Sequence, residues 1–496
     1  MPSRPLPHAG GSLALLLTAS TGCAMTVLDT NIVAIVLPTI ARDFSASFAD
    51  IEWVVSTYVL CFAALLLPAG AIADRFGRRR IFLAGIALFA LASLLCGLAP
   101  SARLLSLARA LQGMGAAFQL APALALIGHG FHGEAERNRA WAIWGGIMGL
   151  TMVLAPVLGG LIAHFLGWRW AFLVNIPIGL ALGAAALAFT EESRDAAARR
   201  LDPAGIALFA ALMFALTWGL INGQAQGWTS PSALAGFAAG LCALAGFIAV
   251  ERAQARPMLD LGLFRLPRLV GGVWAMFAYA ACAQVMASLL PLFLQNGLGR
   301  SPLEAGLSML PFALTMLVFP QVGRLLGGRL TSPRILTIGL ATVGLGNGLT
   351  GWGAHLGDWP VVMAGMLVLG AGGGLLNGET QKAIMSVVPR ERAGMASGIS
   401  TTSRFSGILI GFALLSGVLA TVVRAGLERT HDAHFTEAVI AGDLPQAVAG
   451  LAGGAREAAI AHAHAAYSGG FAVALFAAAG IALASAVAVG RLMRAR

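Results

Sequence analysis

The stretch that decides the fold runs from Gly70 to Arg80 and reads GAIADRFGRRR. Apolar runs lie on both sides of it, so these residues form a short polar loop between two apolar segments. Its glycines permit a tight turn, and its one carboxylate, Asp74, lies among four arginines. Arginines clustered between apolar runs are typical of a loop at the cytoplasmic face of a membrane protein. That bias does not require an acid, so we expect Asp74 to bind a neighbouring helix N-terminus or arginine through a charge-assisted hydrogen bond.

Apolar segments of spanning length recur along the whole chain. A transmembrane helix needs about 20 mostly apolar residues. Fourteen segments meet this length, near residues 13–40, 48–72, 81–99, 103–128, 140–164, 170–190, 204–222, 232–250, 269–295, 302–326, 334–353, 360–383, 395–422 and 467–490. The sequence therefore predicts an all-α polytopic membrane protein of fourteen transmembrane helices. The first segment is too long for a signal peptide, so we expect it to be retained.

Composition excludes several classes of protein. Of 496 residues 58% are hydrophobic and 11% are charged, whereas a soluble domain carries roughly 25% charged residues. The net charge is +10, but the arginines are dispersed between apolar runs, so we expect no nucleic-acid partner. The five cysteines have no metal-type spacing and no P-loop is present, so we expect neither a metal nor a cofactor.

The distribution of charge among the loops predicts the orientation. With the N-terminus inside, 23 of the 32 basic residues fall in cytoplasmic segments, and Arg109 and Arg404 lie within spans. A wrong helix count would scramble this alternation. The pattern therefore predicts cytoplasmic N and C termini in the cytoplasmic (inner) membrane.

A shift of 253 residues reveals an internal repeat. It places Pro38 on Pro291 and Gly70 on Gly323. Transporters are commonly built from duplicated halves, so we expect two six-helix bundles with two inserted helices between them. The expected units are 1–192 for the N-terminal bundle, 193–267 for the insert with its linkers, and 268–496 for the C-terminal bundle with an external segment 423–466.

Asp29 is the acid that the sequence places deep in a span, and Arg109 lies in the fourth span within reach of it. A charged group inside a membrane is costly and is by default a functional candidate. The membrane interior favours a protonated carboxyl group, whereas an approaching cation favours the ionised form. The pair is therefore predicted to bind and release a proton, and the alternative is a static structural ion pair.

Other polar and small residues in the spans allow two interpretations each. The fifth span is rich in glycine and contains a proline, which serve helix packing or a gating bend: Gly145, Gly146, Gly149, Pro156, Gly159 and Gly160. Five polar residues either line a substrate cavity or form interhelical hydrogen bonds: Tyr58, Gln112, Gln119, Gln284 and Asn377. External histidines such as His431 and His462 lack the companions that a metal site needs.

Several stretches together resemble the major facilitator superfamily, and more narrowly its fourteen-helix drug:proton antiporter branch. Residues 70–80 match the superfamily signature between the second and third helices. Further matching stretches are 28–38, 107–115, 149–160, 168–177 and 301–306. Departures occur at Asn31 and Ala34, where the branch has Thr and Asn, and at Ala155, where it has Gly. Gly327 stands where the repeat would place the acid of Asp74, so we expect the contact of Asp74 in one half only.

The resemblance implies proton-coupled efflux of small amphipathic compounds by alternating access. It ties Arg109 to proton transfer beside Asp29. It also defines a gate motif of Gly70, Asp74, Arg75, Gly77, Arg78 and Arg79, and an antiporter motif of Gly149, Pro156, Gly159 and Gly160. The partners expected are a small-molecule substrate, protons and the lipid bilayer. We expect a functional monomer, and the sequence neither requires nor excludes a periplasmic adaptor in a Gram-negative host.

Three alternatives remain open at the level of sequence. The nearest is a transporter of the same fold that takes up a metabolite, because spacing does not determine the direction of flux. A polytopic membrane enzyme would need a nucleophile and base or a metal site, and no such pair is evident. A channel would need a filter sequence, which no span carries.

Overall fold

A computed structural model describes residues 9–131, 134–194, 202–254, 261–327, 329–388 and 393–493 of the chain. The expected linkers of the insert lie partly outside these residues, at 195–201 and 255–260.

Fourteen helical segments of the described residues are long and apolar enough to cross a membrane, which confirms the predicted count. The first half contains α1 Ala9–Phe44, α2 Phe48–Phe76, α3 Arg78–Gly97, α4 Ala102–Gly130, α5 Glu134–Phe165, α6 Trp170–Leu173 and α7 Asn175–Phe189. The two helices expected to form the insert are α8 Pro203–Gln226 and α9 Pro231–Ala253. The remainder contains α10 Pro267–Tyr279, α11 Met286–Leu292, α12 Pro302–Ser308, α13 Leu310–Leu326, α14 Ser332–Leu356, α15 Trp359–Met385, α16 Ala393–Leu427, α17 Ala433–Ala441, α18 Leu444–Ala447 and α19 Gly453–Leu492.

Some spans consist of more than one helical element. The ninth span joins α10 and α11 through a π-helical turn at Ala280–Gln284 and ends in a second one at Phe293–Gly297. The sixth span joins α6 to α7, and the tenth joins α12 to α13. The last span is longer than expected, because α19 begins at Gly453 rather than near residue 467.

Local sequence determines where helices begin. Ser47 precedes α2 and forms a capping box with Asp50, and Ser301 precedes α12 and forms the same box with Glu304. Each box satisfies backbone N–H groups that the first turn of a helix leaves unpaired. Short loops between long spans therefore begin new helices at defined residues.

Helices pack mainly within two groups. Among the N-terminal helices α2 and α3 pack on α4, and α1 packs on α5; among the C-terminal helices α14 packs on α15 and α19, and α13 packs on α15. Glycine permits the closest approaches: a Cβ at Gly113 would lie 2.3 Å from the carbonyl oxygen of Tyr58. Small residues that let backbones approach are the usual means of helix association in lipid.

The inserted helix α8 lies where the two groups meet, because it packs against both α2 and α16. The Trp53 ring of α2 lies 5.9 Å from the Phe214 ring and 5.8 Å from the Trp218 ring of α8. The Ser406 hydroxyl of α16 donates to the Met213 sulfur of α8 at 3.4 Å. The insert thus covers one side of the boundary between the groups.

Two faces of the bundle are named below. The basic face carries Gly70–Arg80, which form the end of α2 and the start of α3 with only Gly77 between the two helices, rather than the short loop expected from the sequence. The opposite face carries the short connection from Phe44, where α1 ends, to Phe48, where α2 begins.

Candidate functional site

The structure brings Asp29 and Arg109 together inside the N-terminal helices. Asp29 lies at the middle of the first span, Leu13–Phe44, and Arg109 lies two turns into α4. Nη1 of Arg109 lies 2.6 Å from Oδ2 of Asp29. Asp29 is 0% exposed and Arg109 is 1% exposed. A buried pair of this kind is tolerated only when further hydrogen bonds satisfy its remaining lone pairs and hydrogens.

Amide groups satisfy the second oxygen of Asp29. Oδ1 accepts from Nε2 of Gln112 at 2.7 Å and from Nδ2 of Asn175 at 2.9 Å. The hydroxyl of Ser93 on α3 accepts from the same two amides, at 2.9 and 3.4 Å. All three partners of Asp29 are N–H donors, which cannot accept a hydrogen from a carboxylic acid. The geometry is therefore that of an ionised carboxylate.

The guanidinium of Arg109 is held by groups from three helices. Besides Asp29 of α1, it donates from Nη1 to Oε1 of Gln112 at 2.7 Å and from Nε to the carbonyl of Val54 on α2 at 3.3 Å. It also lies over the ring of Tyr58, 4.1 Å from its centroid, where a cation is attracted to the π face. A change at Asp29 would therefore act on α2 and α4 through Arg109.

The five cavity candidates divide between the two helix groups. Gln112 belongs to the network of Asp29, Gln119 donates to the carbonyl of Gly22 at 2.7 Å, and the Tyr58 hydroxyl lies 3.5 Å from the carbonyl of Thr26. These three contacts join helices of the N-terminal group.

The other two candidates lie in the C-terminal group. Gln284 lies in the first π-helical turn of the ninth span, and its buried Oε1 has no hydrogen-bond partner among the described residues. Asn377 accepts from Arg404 through its backbone oxygen at 3.3 Å and its side-chain oxygen at 3.5 Å.

The gate motif is bound to the end of the sixth span. Asp74 accepts from Nε of Arg78 at 2.8 Å, and Arg79 donates to the carbonyl of Leu187 at 2.8 Å. The backbone N–H of Arg79 also donates to Glu192, at 3.2 Å.

Glycine conformation shapes the junction between α2 and α3. Gly77 has φ +116° at the junction of α2 and α3, and a Cβ there would lie 2.5 Å from Glu192. Arg75 is exposed and lies 5.4 Å from the ring of Phe76, whereas Gly70 has open space around it, with Ala121 3.9 Å from a built Cβ. Glu192, which the sequence did not single out, thus contributes to the local structure of the motif.

The antiporter motif packs α5 against three other helices. A Cβ at Gly159 would lie 3.1 Å from Cα of Ile32 on α1, and one at Gly160 would lie 2.8 Å from the carbonyl oxygen of Pro302 at the start of α12. Gly149 lies against the side chain of Leu317 on α13. The backbone oxygen of Pro156 lies 2.3 Å from where Gly306 of α12 would carry a Cβ. The motif is therefore a contact surface between the N-terminal and C-terminal helices.

Besides Glu192, sequence reasoning missed three further residues of these contacts. Asn175 and Ser93 complete the network of Asp29, and a single sequence gives no signal for Ser93 among apolar neighbours. Glu52 is 1% exposed, and its side chain forms a hydrogen bond with the Ser416 hydroxyl of α16. Glu52 is therefore a second buried acid of the N-terminal helices, near the end of a span rather than at its middle. Glu52 lies one turn into α2, and its place near the end of an apolar run hid its burial.

His431, Phe435 and His462 form a cluster of rings. The ring of His431 stacks on Phe435 at 4.1 Å and lies 5.1 Å from the ring of His462. Burial lowers the pKa of His431 from its usual value, and the neighbouring His462 lowers it further. Among the described residues no group of three His, Cys, Asp or Glu side chains could hold a metal ion.

Comparison with known proteins agrees with this architecture. The family model of the Major Facilitator Superfamily matches residues 19–412. Multidrug resistance protein Stp of Mycobacterium tuberculosis is 37% identical over 84% of this chain and 77% of its own length. Multidrug efflux pump LfrA of Mycolicibacterium smegmatis is 32% identical over 94% of this chain and 93% of its own length. The tetracenomycin C resistance and export protein of Streptomyces glaucescens is 33% identical over 82% of this chain and 76% of its own length.

Solved structures share the fold. A bacterial homologue of the human lysosomal transporter Spinster, in an inward-facing conformation, superposes with a TM-score of 0.66 at 18% identity, covering 100% of this chain and 98% of that one. A peptide transporter of the POT family gives 0.64 at 17% identity, with 99% and 98% covered. The chain therefore belongs to the major facilitator superfamily, as a multi-pass cell-membrane transporter rather than an enzyme, with multidrug resistance and efflux proteins among its relatives.

Proposed function

We propose that this protein exports small amphipathic compounds across the cytoplasmic membrane in exchange for protons. The observation that carries the proposal is the buried network in which Asp29 accepts from Arg109, Gln112 and Asn175. A carboxyl group at the middle of a span, bound by one cation and two amides, has two distinct arrangements. When it is ionised it pairs with the cation, and when it is protonated the ion pair is lost. Its relatives Stp, a multidrug resistance protein, and LfrA, a multidrug efflux pump, support the efflux of drugs by this protein.

Protonation of Asp29 would cancel its ion pair with Arg109. The guanidinium would then keep the Val54 carbonyl and Gln112 as partners and lose its charged one. Since these partners lie on α2 and α4, a proton on Asp29 shifts the balance of contacts that position both helices. The arrangement in which Asp29 accepts from three N–H donors would be the state that follows release of the proton.

Alternating access requires two bundles that move against each other. We take these as residues 1–192 and 268–496, with 193–267 as the insert. The antiporter motif of α5 meets α12 near the opposite face, so it would form and break contacts as the bundles rock. At the basic face, Asp74 with Arg75 and Arg78 would hold the inner gate, and this face would be cytoplasmic together with both termini. The functional unit is a monomer.

Substrates are found by expressing the protein in an efflux-deficient host and measuring its drug-susceptibility profile. One identified drug is then loaded into proteoliposomes with a fixed orientation of the protein, and an inward proton gradient is imposed. An antiporter drives the drug out, whereas a symporter drives it in.

The assignment of Asp29 is tested in the same vesicles with two matched variants. Asp29→Asn should abolish gradient-driven export while leaving the protein folded. Asp43→Asn alters an exposed carboxylate of the same helix, paired with Arg169 at 2.8 Å, and should retain it. Undiminished proton-driven transport by Asp29→Asn would refute the assignment.

A further inference from the structure

Glu52 is a buried carboxyl group at the boundary between the two helix groups. It lies near the start of α2, at the opposite face, and it meets Ser416 of α16. It is 1% exposed. Within the described part of the chain, no lysine, arginine or histidine forms an ion pair with it. Its environment therefore offers a hydroxyl group and no countercharge.

The number of hydrogens at Ser416 indicates which group donates. The Ser416 hydroxyl lies 2.6 Å from the carbonyl oxygen of Phe412, one turn earlier in α16, and it also contacts Oε1 of Glu52. A serine hydroxyl has one hydrogen to donate and two lone pairs that accept. Serines within helices commonly donate to the carbonyl four residues earlier. The hydrogen between Ser416 and Glu52 is then supplied by Glu52, which must be a carboxylic acid.

The ionised alternative satisfies the same groups less well. A carboxylate at Glu52 would share the single hydroxyl hydrogen of Ser416 with the Phe412 carbonyl. Burying an ionised carboxylate without a cation or a full set of donors carries a large desolvation penalty. A protonated Glu52 removes both difficulties, because it donates one hydrogen bond and carries no charge.

The charged groups on the helices around α2 either pair with residues other than Glu52 or lie at other levels of their helices. Asp29 and Arg109 pair with each other, and Arg109 approaches α2 at the Val54 carbonyl, two residues and so about 200° around the helix from Glu52. On α16, Arg404 precedes Ser416 by three turns, and Arg424 follows it by two turns and binds Glu437 of α17. Helix α8 carries no titratable residue. The remaining titratable residues on α2 and on the helices packed against it are Cys23, Arg42, Asp43, Asp50, Tyr58, Cys61, Asp74, Arg75, Arg78, Arg79, Arg80, Cys96, Arg103, His129 and His434.

We propose that Glu52 is a second proton-binding residue of the transporter, which joins α2 to α16 when protonated and loses its proton when these helices part and water enters. The inference rests on the proposed function in one respect, that the two helix groups separate at the opposite face. Protons arriving from that side then favour closure of the same face. In an exporter driven by external protons, this closure returns the proton-loaded protein to the state that opens toward the cytoplasm.

The two proton sites share one helix. Arg109 binds the Val54 carbonyl on one side of α2, and Glu52 contacts Ser416 on the other side of the same turn. A displacement of α2 that separates Glu52 from Ser416 therefore also changes the position of the carbonyl that Arg109 binds. This arrangement couples opening of the face to the network of Asp29.

Infrared spectroscopy tests the protonation state directly. The full-length wild type at neutral pH should show the C=O stretching band of a protonated carboxyl group. Glu52→Gln, which keeps the size and the donor, should lose this band, whereas Asp29→Asn should retain it. A spectrum in which Glu52→Gln changes nothing in this region would overturn the proposal. These spectra do not depend on transport, so failure of proton-driven export with an intact Glu52 band would count against the proposed function alone.

Electron spin resonance distances test the consequence for closure. Spin labels at Arg103, exposed near the start of α4, and at Ala433, exposed at the start of α17, report the separation of the helix groups at the opposite face. In the wild type the longer distances should gain population as pH rises. Glu52→Gln should hold the short distance at every pH, and Ser416→Ala, which removes the partner, should favour the long distance. A pH dependence in Glu52→Gln equal to that of the wild type would contradict the proposal.

Discussion

At the scale of single residues, the pair formed by Asp29 and Arg109 has to offset the removal of two charges from water. Its contacts with Gln112, Asn175 and Val54 supply the hydrogen bonds that make this possible. The pair is therefore stable as a unit, while either partner alone is a buried uncompensated charge. This asymmetry is what makes the pair suitable for binding and releasing a proton.

A double-mutant cycle tests the pairing. Arg109→Gln should lower the free energy of unfolding by about 3–5 kcal/mol, because it leaves the carboxylate of Asp29 without its cation. The combination of Arg109→Gln with Asp29→Asn should cost less than the sum of the two single changes. Chemical denaturation of the detergent-solubilised protein provides the measurement.

The exposed pair of Arg169 and Asp43 serves as the control for this cycle. Arg169→Gln should cost at most about 1 kcal/mol, because exposed ion pairs contribute little. Strictly additive effects of Asp29→Asn and Arg109→Gln would show that the two residues do not depend on each other.

At the scale of helices, glycine residues allow α5 to pack closely against its neighbours. Gly159 faces α1, and Gly160 faces the start of α12 across a distance that leaves no room for a methyl group. Gly145 and Gly146 of the same helix have open space where a Cβ would be. Close helix packing therefore requires glycine at Gly159 and Gly160 but not at Gly145 and Gly146.

Gly160→Ala should destabilise the contact between α5 and α12. The added Cβ would lie 2.8 Å from the Pro302 carbonyl oxygen and 2.9 Å from Cα of Leu303. Overpacking costs about 1–3 kcal/mol, which would shift the equilibrium toward opening of the opposite face by roughly 5- to 150-fold. The spin labels at Arg103 and Ala433 measure this shift. Gly145→Ala should leave the distances unchanged, and an equal response of both variants would exclude a specific role for Gly160.

At the scale of the whole molecule, the lipid solvent explains why so much of the fold could be predicted. Because every span needs about 20 apolar residues, the fourteen helices were evident from composition along the chain. The contacts between helices could not be predicted in the same way. They depend on rotation and register, which an almost uniformly apolar sequence specifies through packing alone.

The candidate site, like the fold, could be predicted from the sequence only in part. Asp29 and Arg109 stood out because charge is rare in a span, and the structure places them in contact. Ser93, Asn175 and Glu52 did not stand out, because small polar groups and an acid near a helix end have many ordinary explanations. Their importance follows from partners that are distant in sequence, such as Ser416 for Glu52.

The proposed function of the whole molecule requires that drug and proton bind in exchange at the network of Asp29. Linkage then demands that drug binding expel a proton from the loaded protein. The most direct measurement is the proton release that follows addition of an identified drug to purified protein in weakly buffered, mildly acidic solution. The wild type should release about one proton for each drug bound, and Asp29→Asn should bind the drug without this release. Equal proton release from the wild type and from Asp29→Asn would contradict the account.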